Sequence, residues 1–166
     1  MQTLFVQKFL IGAGIEHKRL NIFSKNYDKK SFYDNSNYGS VFGYIKIDNL
    51  DNKFFPKKGW FFNCDGQSYL FSNNFSNQFN NFTIAKASAG ITHTFFKRFN
   101  VNLQTEAGFS AGETSVPFLN FALGGYGFEP VNNIKHFYGY DFVSLAGDSY
   151  IKSLGTVDVE FYKKNH

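Results

Sequence analysis

No stretch of this chain approaches the roughly 18 uninterrupted apolar residues that a membrane-spanning helix requires, and its mean hydropathy is negative. Cysteine is almost absent. Cys64 stands alone, which excludes an intramolecular disulfide and a multi-cysteine zinc site; it reads as a small hydrophobe on the apolar side of a strand. Only three prolines occur, Pro56, Pro117 and Pro130, each in a segment that reads as turn or loop, so none interrupts a regular element. The net charge of +4 comes without a basic block, which gives no support for binding nucleic acid. Met1–Lys8 lacks the basic start, apolar stretch and small-residue cleavage site of a signal peptide.

Aromatic residues are what the chain has in excess: 23 Phe and 10 Tyr, beside 15 Gly. Their apolar character is dispersed by alternation. The segment Val101-Asn102-Leu103-Gln104-Thr105-Glu106-Ala107-Gly108-Phe109-Ser110-Ala111-Gly112 carries Val, Leu, Thr, Ala, Phe and Ala on one side. The other side carries Asn, Gln, Glu, Gly, Ser and Gly. Successive strand side chains point to opposite faces, so this segment has one apolar face and one polar face. Soluble strands are typically about five or six residues long, whereas a strand crossing an outer membrane needs roughly 9–11.

The same pattern recurs along the chain between Asn-, Asp-, Gly- and Lys-rich turns. A first strand is expected from about Leu10 to Phe23, with Ile11, Ala13 and Ile15 opposed to Glu16 and Lys18 and a parity change near Leu20 that suggests a bulge or the membrane boundary. Lys25 to Asn37 reads as an exposed loop. A second strand follows over Tyr38–Asp48, a third over Gly59–Phe71 and a fourth over Phe82–Phe96, turning at Lys97-Arg98 into the Val101 strand. Asn73 to Asn81 reads as a loop with aromatic anchors. The segment from Glu113 to about Phe137 is long enough to be functional rather than a connector. A closing hairpin is expected from Tyr140–Ala146 and Tyr150–Tyr162. In its last strand Asp158 and Glu160 would be costly in lipid and must face a lumen or solvent. Tyr38, Trp60, Phe71, Phe95, Phe96, Tyr150 and Tyr162 fall near strand ends, where aromatic girdles form. The count is seven or eight strands.

Catalytic readings fail on missing partners. Asp65-Gly66 has no Gly-x-Ser-x-Gly nucleophile to serve. His17, His93, His136 and His166 lack the spacing of metal ligands. Gly124-Gly125-Tyr126-Gly127 lacks the Lys-Ser/Thr ending of a phosphate loop and reads as a turn beside a close-packed wall. Asn81-Phe82-Thr83 is too short a match to a glycosylation acceptor to carry weight. No catalytic residue, cofactor or metal is expected.

Two stretches resemble a known family. Asp48-Asn49 through Pro56-Lys57-Lys58-Gly59 resembles the D-N-…-P-x-x-G strand opening of bacterial surface antigen barrels, members of the outer-membrane assembly and two-partner secretion superfamily. Phe121-Ala122-Leu123-Gly124-Gly125 and Phe137-Tyr138-Gly139-Tyr140 are similar to that family's F-x-L-G-G and to its R-G-F/Y loop tip. The resemblance implies a loop folded back into the lumen, its arginine paired with an acid on the inner wall. Here Tyr138 stands in the arginine position, so that ion pair is not carried over. Residues 137–141, the turn Ala146–Tyr150 and Glu160-Phe161-Tyr162-Lys163-Lys164 are most similar to barrels fused behind patatin-like phospholipases. The likeness covers nearly the whole chain from about Leu10.

The resulting expectation is an all-β, antiparallel transmembrane barrel in a bacterial outer membrane, with residues 1–166 a single partial domain of a barrel of about sixteen strands. The implied role is to anchor, translocate or display an N-terminal partner domain. Expected partners are outer-membrane lipid, the barrel assembly machinery and the remaining strands and N-terminal domain of a parent protein, with Met1 inside that parent. Phe137, Gly139 and Tyr140 are expected to form the lumen loop, Pro56 and Gly59 the strand opening, and Gly124 and Gly125 the loop turn. Two alternatives remain: the anchor of an outer-membrane patatin-like phospholipase whose lipase domain lies upstream, and a soluble lipocalin-like ligand-binding barrel.

Overall fold

The computed structural model describes residues 2–6, 8–20, 36–73, 79–96, 98–112, 120–126 and 133–160. Ten strands lie among them. The first six are β1 (Gln2–Val6), β2 (Phe9–Leu20), β3 (Ser36–Asp48), β4 (Lys58–Asn73), β5 (Phe82–Phe95) and β6 (Phe99–Ala111). Three short strands follow, β7 (Phe121–Leu123), β8 (Ile134–Lys135) and β9 (Leu145–Gly147), and then β10 (Ser149–Val159). The long strands form one seven-stranded sheet in the order β1-β2-β3-β4-β5-β6-β10, antiparallel throughout. The short ones form a second sheet, β8-β7-β9. The edges β1 and β10 do not pair with each other, so the large sheet is an open wall.

Lengths and faces suit a bilayer. The 14 residues of β5, at about 3.4 Å each and tilted ~45°, rise roughly 34 Å, close to the hydrocarbon thickness. The register then sorts every side chain. One lateral row reads Ile11, Ile45, Cys64, Ala87, Ala107 and Ile151 across six strands, and the next reads Gly12, Tyr44, Asp65, Lys86 and Gly108. The first row belongs to an outer face with Ile15, Trp60, Ile91, Leu103, Phe109 and Val157, all exposed; Ile15 is 85% and Ile151 75% accessible. The second belongs to an inner face that holds Glu16, Asp65, Glu106 and Asp158. Apolar outward and polar inward is the reverse of a lipocalin, whose ligand cavity is lined by its apolar face.

The buried core lies on the inner face. Tyr38, Tyr69, Phe82, Ile84, Phe121 and Tyr150 cluster there, with Tyr69 stacked on Phe82 at 4.6 Å between ring centroids. These residues sit toward the end of the wall that carries the long connections, 21–35, 74–81 and 112–148. The opposite end carries the connections 7–8, 49–57 and 96–98, the first and last of them short turns. Outer-membrane barrels place short turns in the periplasm and longer loops outside, which orients the wall.

Several expectations need correction. β1 precedes the first expected strand. The β2–β3 register runs unbroken to the Leu20–Ser36 pair, so there is no bulge at Leu20; the irregularity lies at Gly39/Ser40 against Tyr69 and Phe71. Residues 21–23 lie outside the described set, as do 25–35 of the Lys25–Asn37 loop, Lys97, Pro117, Pro130 and Tyr162; Ser36 and Asn37 are in β3. Tyr140–Ala146 is not a strand paired with the last one. Asp141 accepts the Ser144 N–H at 3.2 Å, making a turn; β9 pairs with β7 and β10 pairs with β6. Strand parity also removes Tyr38 and Tyr150 from the girdle, because both point inward and are buried. Trp60, Phe71 and Phe95 are exposed on the outer face, and Phe96 is exposed at the β5–β6 turn.

Candidate functional site

The segment carrying β7, β8 and β9 lies against the inner face of the wall, and three interactions hold it. Phe121 of β7 packs edge-on against Tyr150 of β10, with centroids 4.9 Å apart. Both rings lie over Gly108 of β6, where a Cβ would stand 2.5 Å from Tyr150 and 2.8 Å from Phe121. Lys135 of β8 reaches Glu106 of β6, Nζ to Oε1 3.1 Å. Lys152 of β10, directly opposite Glu106 in the register, pairs with its Oε2 at 3.1 Å and also donates to the His136 carbonyl at 3.4 Å.

Glu106 is the hub. The Tyr150 hydroxyl donates to its Oε1 at 2.6 Å, so one carboxylate receives a phenol and two ammonium groups. A carboxylate held by charge-assisted bonds from two elements fixes their relative position. Elsewhere on the inner face further polar groups pair with one another. Lys86 pairs with Asp65 across the strands at 3.0 Å, Lys18 lies 3.4 Å from Glu16, and Gln67 bridges Glu16 and Ser40.

Between loop and wall lies a cavity of about 360 Å³, lined by Phe61, Ser88, Gln104, Glu106, Phe137 and Lys152 among others. Phe137 therefore faces the interior. Its N–H donates to the Gly125 carbonyl at 3.2 Å, and the Gly125 N–H donates to the Tyr140 carbonyl at 3.0 Å. These two bonds join the two motifs that the sequence singled out separately. The Phe137 and Tyr140 rings lie 5.3 Å apart. Gly139 is exposed at φ +86°, with nothing within 4 Å of an added Cβ. Tyr138 packs on Tyr126 at 5.0 Å and His136 at 5.3 Å.

Gly124 needs its lack of side chain for two reasons. Its φ is +142°, and a Cβ would collide with the Asp141 carbonyl oxygen. Gly59 is alike: φ is +127°, and a Cβ would strike the Asn49 carbonyl oxygen. The turn between β3 and β4 thus closes tightly. Asp51 Oδ1 accepts the N–H groups of Lys57 at 2.9 Å and Lys58 at 3.1 Å. These bonds hold the Asp51 carboxyl below its ordinary range, the Lys58 N–H being the larger cause. The Pro56 carbonyl accepts the Asn100 side-chain amide at 2.8 Å, and Lys57 pairs with Glu160 at 3.2 Å. The turn leans over the inner face at its short-turn end, above a cavity of about 730 Å³.

The chain belongs to the OMP85 superfamily. The family model of that superfamily matches residues 1–166, the whole chain. No curated protein and no solved structure matches significantly. The superfamily's members are outer-membrane β-barrel proteins, so the expected fold class and location stand: this OMP85 chain is an antiparallel wall of an outer-membrane barrel. Tyr138 makes no such ion pair as the family's arginine; the ion pair from this segment to the wall is that of Lys135 with Glu106. Sequence reasoning placed Glu106 and Lys152 on polar faces without joining them. The signal available was parity, since Glu106 is the only acid of β6 and faces inward.

Proposed function

We propose that this OMP85 chain is part of a surface-antigen-type barrel that anchors an N-terminal partner domain and provides its route through the outer membrane, with no catalysis by the chain's own residues. The folded-back loop is the gate of that route. The observation that carries the reading is the docking of β7–β9 on a polar inner wall through Glu106, because it closes a water-compatible passage with a detachable element rather than with the wall itself. The open edges of β1 and β10 call for neighbouring strands, since lipid does not tolerate unpaired backbone groups. The motifs resemble barrels fused behind patatin-like phospholipases, which makes a lipase-type domain the first partner to seek.

Immunoblotting of fractionated cells with antiserum to the Asn49–Lys58 turn tests this. A detergent-extracted outer-membrane band well above 19.0 kDa is expected. A single band at that mass would overturn the partner domain.

A further inference from the structure

Ionisable groups are distributed unequally between the two faces of the wall. Within the strands described here, the register places Glu16, Asp65, Glu106 and Asp158 on the inner face and no acid on the outer one. The outer face has basic groups alone, near its two ends. At the long-loop end these are His17 and Arg19, two residues apart on β2 and both exposed. Arg19 makes no ion pair with any described residue.

The register builds a patch around them. Arg19 lies opposite Asn37, which lies opposite Asn73, so one row across three strands reads Arg, Asn, Asn. The next row toward the membrane centre reads His17, Gly39, Phe71. The Phe71 ring lies across Gly39, where any Cβ would overlap it, and remains 58% exposed. The row after that is aliphatic on β2 and β3, with Ile15 and Val41, and reaches Ser68 on β4. From loop end to membrane centre the order is therefore cation and amides, then imidazole and phenyl ring, then aliphatic chains. A phospholipid has the same order: phosphate with hydroxyls, then glycerol, then acyl chain.

We propose that this patch binds the phosphate head group of a membrane lipid in the leaflet at the long-loop end. Arg19 supplies the fixed cation and fork of donors for phosphate oxygens. Asn37 and Asn73 supply amides for phosphate or hydroxyl oxygens, and His17 supplies a further ring nitrogen. Phe71 and Ile15 lie along the acyl chain. The inference rests on the outer-membrane barrel and not on the partner domain or the gate.

The whole barrel to which this wall belongs, reconstituted in phosphatidylcholine vesicles with spin-labelled phosphatidylglycerol or spin-labelled phosphatidylcholine as probe, reads the site directly. The wild-type barrel should immobilise the phosphatidylglycerol probe preferentially. Arg19→Gln should reduce that preference by about fivefold, the worth of one cation near an anionic lipid surface. Arg19→Lys should retain most of it, and Lys46→Gln, on the inner face, should retain all of it. Equal preference in Arg19→Gln and wild type, or an equal fall in Lys46→Gln, would overturn the site. Extraction of the wild-type barrel from vesicles by alkaline wash would overturn membrane insertion itself, a different failure.

Discussion

Lys135 on the folded-back loop and Glu106 on the wall are joined at 3.1 Å, and this contact ties two sheets together that share no backbone ladder. Both groups are largely shielded, with side-chain exposures of 14% and 20%. Lys135→Met would leave Glu106 still held by Lys152 and Tyr150, so the wall should stay folded while the loop loses one of its three tethers. A hydrogen bond between charged groups contributes about 1.5–3 kcal/mol. Cleavage within residues 133–147 of the membrane-inserted chain should accelerate by roughly tenfold or more. Glu106→Gln should release the loop further, because both lysines then lose their anion. A wild-type cleavage rate in Lys135→Met would mean that the ion pair does not hold the loop.

Three substitutions in the loop should rank by backbone demand. Gly124→Ala meets both a positive φ and the Asp141 carbonyl, and should be the most damaging. Gly139→Val meets a positive φ in open space, at a cost of about 1–2 kcal/mol. Tyr138→Ala removes only half-exposed ring contacts with Tyr126 and His136 and should be mildest. Band shift between unheated and heated samples on a denaturing gel reports the folded fraction. Tyr138→Ala proving as harmful as Gly139→Val would show that the ring, not the turn, is what assembly requires.

The wall was legible in the sequence and the loop docking was not, for one physical reason. Period-two alternation is imposed locally wherever a strand has lipid on one side, so Ala85, Ala87, Ala89 and Ile91 could be separated from Lys86, Ser88 and Thr92 by parity alone. Strand β1 escaped because Leu4-Phe5-Val6 is a continuous apolar run with no period. Tyr140–Ala146 misled because its aromatic and β-branched residues look strand-like, while a turn between Asp141 and Ser144 breaks it. Parity places Tyr38 and Tyr150 on the inner face even though both stand near strand ends, where girdle residues also occur. The Glu106 cluster joins residues from three elements, and nothing local to Lys135 announces that partner.

Acid should loosen the turn between β3 and β4. Asp51 accepts two backbone N–H groups as a carboxylate, and its folded pKa lies below the ordinary 3.8. A depressed folded pKa means the contribution is complete above the unfolded value and is lost as pH falls through the folded one. Amide chemical shifts of Lys57 and Lys58 should therefore titrate together at a pH below that ordinary value. Asp51→Asn should abolish the titration and leave both amides more exchangeable at neutral pH. Titration of the two amides at the ordinary carboxylate value would show that the N–H groups do not stabilise the anion.

Ala87 and Ser88 are adjacent in β5 yet should respond oppositely to the same change. Ala87 lies on the outer face between Cys64 and Ala107 in the lateral row, and Ser88 on the inner face between Asn63 and Glu106. A lysine on the lipid side near the bilayer midplane costs about 2–4 kcal/mol, whereas lumen positions tolerate charge. Ala87→Lys should thus lower the urea midpoint of the vesicle-inserted chain sharply. Ser88→Lys should change it little, since its ammonium would lie near the Glu106 carboxylate in a polar setting. Equal destabilisation at both positions would mean that the two faces do not meet different solvents, and the lipid-facing assignment of the whole wall would fall with it.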